Sequence, residues 1–242
     1  MAKNTDTASD FYESFWKDAP YQQAYAFDSA VRDRYPAIQN VWHPLASPKR
    51  VLDFGSGNGV LTYWMHCNGF GDSILGVDLS RTGVANARSA FARDGLQFEQ
   101  LDFLDSLTPR EPFDVVVSSH VLEHIPHPER ALKRLRNLGE WFVLEVPLEK
   151  CFWPDLSCAL RGKARHENAL GHVNFWTKAS FRSFLEENGF LIVRDYHYAS
   201  APYSPYNSSL KKIVERALLM AVGIEIYSRV LATHYTVLAR RS

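Results

Sequence analysis

Cysteine is scarce in this chain: Cys67, Cys151 and Cys158 are the only three in 242 residues. An odd number without metal-ligand spacing excludes a disulfide framework and a zinc ribbon, and a reducing, cytoplasmic setting is the expectation. An excess of charge of one sign is also missing, since 27 Lys and Arg balance 27 Asp and Glu. A chain devoted to gripping a phosphate backbone carries a basic surplus, so nucleic acid is not the expected partner. No apolar run approaches the roughly 20 residues that cross a bilayer; the most apolar late stretch, Ala217 to Ile224, falls far short. Met1 to Asp10 is polar and lacks the apolar core of a secretory signal. What remains is an ordinary globular composition, 46% hydrophobic and 22% charged. One domain with insertions is the expectation.

From Arg50 onward, β-type apolar runs alternate with helical segments, the pattern of an α/β domain with a parallel sheet. Strands are predicted at 51–54, 74–77, 97–101, 113–118, 141–146, 191–196 and 234–238. Helices are predicted at 60–68, at 82–94, after Pro128 to a Gly139 stop, and after an N-cap at Thr177 to Asn188-Gly189. Three segments stand outside the alternation: 1–49, 149–176 and 199–232. The first is rich in aromatics, with Phe11/Phe15 and Tyr12/Trp16 spaced four apart as on one helix face. The last holds an amphipathic helix with Leu210, Ile213, Val214, Ala217, Leu218 and Ala221 on one stripe.

Chemistry concentrates in Val51-Leu52-Asp53-Phe54-Gly55-Ser56-Gly57-Asn58-Gly59. A buried strand running into an acid and alternating glycines delivers a tight turn to a helix, and glycine lets a ligand approach without a Cβ in the way. A dinucleotide loop would place its third glycine one position later, where Val60 stands, so another nucleoside ligand is indicated. Open α/β sheets bind ligands at the carboxyl ends of their strands. Asp78 ends strand 2, where a carboxylate can accept from both ribose hydroxyls. Asp102-Phe103 follows strand 3, where an acid and the next N–H can read an adenine edge. Ser118-Ser119-His120-Val121-Leu122-Glu123-His124 follows strand 4.

In this order, VLDFGSGNG, ILGVDLS, LDFLD, FDVVVSSHVLEHIPHPERAL and WFVLEVPL resemble the class I S-adenosylmethionine-dependent methyltransferases, of the small-molecule type, over about residues 50–148. The resemblance implies a Rossmann-like, doubly wound seven-stranded sheet, mostly parallel with the last strand antiparallel. Residues 1–49 would form an N-terminal helical lid, and 149–176 and 199–232 substrate caps, all within one methyltransferase domain, 1–242. It implies S-adenosylmethionine as cofactor and S-adenosylhomocysteine as product. Asp53, Gly55, Ser56 and Gly57 would approach its methionine part, Asp78 and Leu79 the ribose, Asp102 and Phe103 the adenine, and Ser118, Ser119 and His120 the sulfonium end.

Other residues have two readings. His120 and His124 sit at i, i+4 like a metal pair, but no third ligand follows with suitable spacing, so no metal is expected. His120 either lines the site or packs. Gly171-His172-Val173-Asn174 would put His172 and Asn174 on one face toward the acceptor, or His172 would only anchor a loop. Glu145 ends strand 5, facing substrate or a basic partner. Arg161, Lys163, Arg165 and His166 form a solvated run or an anion subsite. Tyr12, Trp16 and Tyr21 either form the core of a lid helix or close over the cofactor and exclude water, and with Tyr203 they are candidate substrate contacts. His172 or His120 is the candidate general base, since an imidazole titrates near working pH. A small-molecule O- or N-methyltransferase is the first expectation. Alternatives are a protein or RNA methyltransferase, a non-catalytic cofactor-binding sensor or assembly protein, and a peripheral enzyme acting on a lipid.

Overall fold

A computed structural model describes residues 13–17, 26–42, 46–101, 112–165 and 170–242. Seven strands form one sheet: β1 (Arg50–Phe54), β2 (Ser73–Asp78), β3 (Leu96–Gln100), β4 (Phe113–Ser119), β5 (Gly139–Leu148), β6 (Phe190–Tyr198) and β7 (Thr233–Arg241). Their order is β3-β2-β1-β4-β5-β7-β6. β7 runs antiparallel to both of its neighbours, β5 and β6, while the other pairings are parallel. The fold is the expected Rossmann-like sheet, and every predicted strand matches an observed one, the third overrunning β3 by one residue at Leu101.

The helices are α1 (Tyr35–Trp42), α2 (Val60–Cys67), α3 (Arg81–Phe91), α4 (Pro128–Leu135), α5 (Phe152–Leu160), α6 (Lys178–Glu187) and α7 (Ser209–Val230). Two apolar layers cover the two faces of the sheet. One joins Leu52, Val116, Phe142 and Val237 to Leu132, Phe181 and Leu185 of α4 and α6. The other joins Val51, Val115, Val143 and Leu238 to Met65, Val84 and Ala87 of α2 and α3.

The second layer also takes in Ala30, Ile38, Val41 and Trp42. Residues 26–42 form a continuous helical run, π-helical over Ala30–Arg34, with Ala30, Ala37, Ile38 and Val41 wholly buried. This part of 1–49 is therefore core and not lid, because its small and branched residues pack onto the strands. α7 differs from its expectation in the opposite sense. Leu210, Ile213, Val214 and Ala217 of the apolar stripe face solvent, and the helix buries Glu215 and Tyr227 instead.

Candidate active site

The carboxyl ends of β1, β2, β4 and β5 converge on one cleft. At β1 the turn is left-handed at alternate residues, with φ of 77° at Gly55, 55° at Gly57 and 79° at Gly59. Only glycine takes such a sequence without strain. The N–H groups of Gly55 and Ser56 both donate to the Val77 carbonyl, at 2.8 and 3.0 Å, which pins the turn to β2. Asp53 is buried and accepts from Thr62 Oγ1 of α2 at 2.6 Å. Burial pushes its carboxyl up to about 6, against the Thr62 hydrogen bond and the Arg34 charge.

Asp78 spans the turn and the start of α3. One oxygen accepts from the Gly57 N–H and the other from the Ser80 N–H, each at 2.8 Å. Burial raises its pKa, and these hydrogen bonds oppose the rise. Ser56 Oγ, Asn58 Nδ2 and Ser118 Oγ are buried around the same cleft and make no hydrogen bond among the described residues. Such orphaned polar atoms are what a ligand carrying a ribose and an amino acid would satisfy. The residues present thus fit a nucleoside cofactor.

Trp16 belongs to this side of the cleft. A Cβ on Gly57 would stand 2.5 Å from its Cζ2, and one on Gly83 would stand 3.1 Å from its Cδ1. Glu13 accepts from the N–H groups of Arg81 and Thr82 and from Thr82 Oγ1, capping α3. Burial pushes the Glu13 carboxyl up, but these bonds outweigh it and hold it below its ordinary value. Trp16 thus lies against the glycine turn and the start of α3. Tyr12, Tyr21, Asp102, Phe103 and His166 lie outside the described residues.

Beyond β4 the chain enters a cluster of imidazoles and carboxylates. His120 takes a left-handed backbone, φ 59°, a conformation that costs a side chain about 1 kcal/mol or more. Its N–H donates to the Glu145 carbonyl at 3.1 Å. Its Nδ1 lies 3.2 Å from Glu123 Oε1, and its Nε2 3.9 Å from Glu145 Oε1. Glu145 is wholly buried and accepts from Ser119 Oγ, at 2.5 Å, and from the Tyr198 hydroxyl. It braces neighbouring side chains, with the basic His120 beside it. Arg34 holds Ser119 twice, through its Oγ and its carbonyl, both at 2.8 Å.

Glu123 is likewise buried. Burial alone would raise its carboxyl, but His120 beside it and the charges of His124 and His172 hold it at about 2. The His124 and His172 rings meet edge to face with centroids 4.8 Å apart. Burial lowers the pKa of His124. Burial pulls His172 down as well, yet its net shift is upward, because Glu149 Oε2 lies 2.6 Å from Nδ1 and Glu123 is near. Ligand atoms of Glu123, His124 and His172 all lie within 4.8 Å of one another, as do those of His120, Glu145 and His234. The two histidines that the spacing pairs thus fall into different groups, each completed by residues distant in the chain. Asn174 braces the loop after β4. Its amide donates to the carbonyls of Leu122 and Ile125, at 2.9 and 2.7 Å, tying two loops together.

Tyr203 lines a cavity of about 320 Å³ together with Arg32, Asp33, Tyr196, Tyr198 and Leu219. Its wall continues inward through stacked rings, Tyr196 on Tyr198 at 5.6 Å and Tyr198 on His234 at 5.1 Å, with His234 5.0 Å from His120. Of the basic run, Arg165 is a tether. It donates to Asp155 and to the Glu149 carbonyl, both at 2.6 Å, and lies over the Phe175 ring.

The strand order, the glycine turn and the acid at the end of β2 are together those of the class I S-adenosylmethionine-dependent methyltransferases. A family model described as a methyltransferase domain matches residues 23–194, and the chain belongs to that family. Trans-aconitate 2-methyltransferase of Methylobacterium nodulans is 39% identical over 106 residues, 43% of this chain and 40% of that protein. Ubiquinone biosynthesis O-methyltransferase of Paraburkholderia phymatum is 34% identical over 41% of this chain and 44% of its own length. The chain thus matches less than half the length of these curated relatives. Magnesium protoporphyrin IX methyltransferase from Synechocystis PCC 6803, solved with bound S-adenosylhomocysteine, superimposes with a TM-score of 0.64 at 17% identity, covering 99% of this chain and all of that one. At that identity the likeness is one of fold.

Proposed function

We propose that the chain transfers a methyl group from S-adenosylmethionine to an oxygen or nitrogen atom of a small molecule, with His172 as general base. Gly55, Gly57, Asp78 and the end of β4 would hold the cofactor, as in the class. When bound, the cofactor supplies a methyl group on a positively charged sulfur, itself a good leaving group. The chain's task is then placement of the nucleophile and exclusion of water, which contribute most of what positioning gives. Glu149 sets the His172 ring and favours its charged form, so the imidazole keeps a proton that it accepts. Arg34, Ser119, Glu145 and Tyr198 fix the floor beside His120. The tyrosine-lined cavity suits a flat, partly apolar acceptor, and one relative is named for ubiquinone biosynthesis.

The observation on which this reading turns is the Glu149–His172 contact at 2.6 Å. A screen of small phenols, hydroxy acids and amines, read as S-adenosylhomocysteine release, tests it. Turnover with a member of the screen that is lost in His172→Ala supports the base. Full turnover in that variant would remove His172 from the chemistry.

One observation favours a second arrangement. Glu123, His124 and His172 have the donor types of a divalent-cation site, with Glu149 as the outer carboxylate that orients a ligating histidine. A cation there would bind the acceptor oxygen and lower its pKa, replacing the base. Dialysis against a chelator separates the two. Turnover that survives supports the base, and turnover restored by zinc or magnesium alone supports the cation.

A further inference from the structure

We propose that α5 and α7 together form a surface that rests on an anionic lipid bilayer. The two helices are in contact, and neither puts its apolar side into the core. Met220 is 86% exposed, Leu160 77%, Leu210 72% and Ile213 64%, and Phe152 and Trp153 at the start of α5 are more than half exposed. An apolar patch spread over two neighbouring helices marks a contact surface, since single exposed apolar residues are ordinary but contiguous ones are not.

Charge selects the occupant. The whole chain is neutral, yet residues 152–165 and 201–232 hold seven Lys and Arg against three acids. Those acids are engaged: Asp155 on Arg165, Glu225 on Lys178, and Glu215 buried within the fold. Arg161, Lys163, Lys211 and Arg229 are exposed around the apolar residues. An apolar stripe edged by long cationic side chains is the composition of a helix lying in a lipid interface, where the stems pack along acyl chains and the charges meet lipid headgroups. A second copy fits less well. A twofold contact sets the same patch against itself, and the cationic rim would face its own image.

The placement also has a use. Leu219 and Ile224 of α7 line the tyrosine-walled cavity, while their neighbours Met220 and Ile226 face outward. An apolar acceptor dissolved in the bilayer would enter from this face. That last step alone rests on the methyltransferase reading above; the lipid contact does not.

The test is co-sedimentation of the full chain with vesicles of phosphatidylcholine alone and of phosphatidylcholine with phosphatidylglycerol. The anionic vesicles are expected to retain at least about tenfold more protein, with the preference falling as salt rises. Ile213→Glu combined with Met220→Glu should abolish retention, and Lys211→Ser with Lys212→Ser should erase the preference for anionic lipid. S-adenosylhomocysteine affinity, unchanged in both, shows that the fold and the cofactor site persist. Absence of retention would overturn the proposal. So would self-association that the Ile213/Met220 pair abolishes without any vesicle binding, which would make this face a contact between copies. Wild type that is retained by the vesicles but binds no S-adenosylhomocysteine would instead sink the methyltransferase reading alone.

Discussion

A single hydrogen bond, Glu149 to His172 Nδ1, sets how this site responds to pH. With His172 as the proposed base, turnover is expected to rise with pH, because the protonated ring cannot accept a proton and Glu149 and Glu123 lift its pKa above the ordinary imidazole value. Glu149→Gln removes that lift and is expected to move the acid limb of the pH–rate profile to lower pH; an unmoved limb contradicts the positioning role. His172→Ala should lower kcat by about 100-fold or more with the S-adenosylhomocysteine Kd unchanged, general-base contributions being of that size. At Gly59, φ is 79° and a Cβ would meet Ala87 and Phe98 at 2.7 Å. Gly59→Ala should therefore cost about 1–3 kcal/mol in chemical denaturation. Gly55, Gly57 and Asp78 were legible in the sequence because a turn and the strand beside it are local. Arg34 was not, since its bond to Ser119 spans 85 positions and no spacing rule reaches that far. Tyr198 was missed for the same reason, meeting Glu145 from a strand 53 residues on.

The elements divide by how much of their surroundings periodicity reports. β4 and β5 are near-continuous buried runs and were read within a few residues of their ends. Thr177 was read as the cap of α6, and the structure gives it a full capping box with Ser180. Thr177→Ala should cost about 1 kcal/mol and lower Tm accordingly; an unchanged Tm would show the cap to be without effect. α7 marks the limit of the method. The spacing of Leu210, Ile213, Val214 and Ala217 names an apolar face correctly, but periodicity does not say what covers it. That face points outward, while Glu215 and, beyond a break in the helix at Gly223, Tyr227 are buried. Residues 26–42 were misjudged for a related reason: a helix taken for a cover packs against the sheet that it was expected to cap.

Across the molecule, the site is assembled at the carboxyl ends of neighbouring strands, and its buried charges tie stability to pH. Glu123 ionises at about 2 in the folded chain against an ordinary 4.5. A carboxyl lowered by folding adds stability that is present above the ordinary value and is lost as pH falls from 4.5 toward 2. Wild type should therefore lose more stability between pH 6 and pH 3 than Glu123→Gln; equal losses would show that the imidazole cluster does not hold this charge. The strand order and the cofactor turn were readable from one sequence, because both follow from alternation and local motif. The tyrosine-lined cavity was not, since it is built from three segments far apart in the chain, of which only Tyr203 had been singled out.

The central claim is that the cleft at the ends of β1 and β2 binds S-adenosylmethionine through Asp78. Calorimetric titration of the wild type and of Asp78→Ala with S-adenosylhomocysteine measures this directly. The account predicts saturable binding of one ligand per chain and at least about a tenfold loss of affinity in the variant, the scale of losing charge-assisted hydrogen bonds to a ribose. Wild type that binds nothing, or a variant that binds as tightly as wild type, would contradict it.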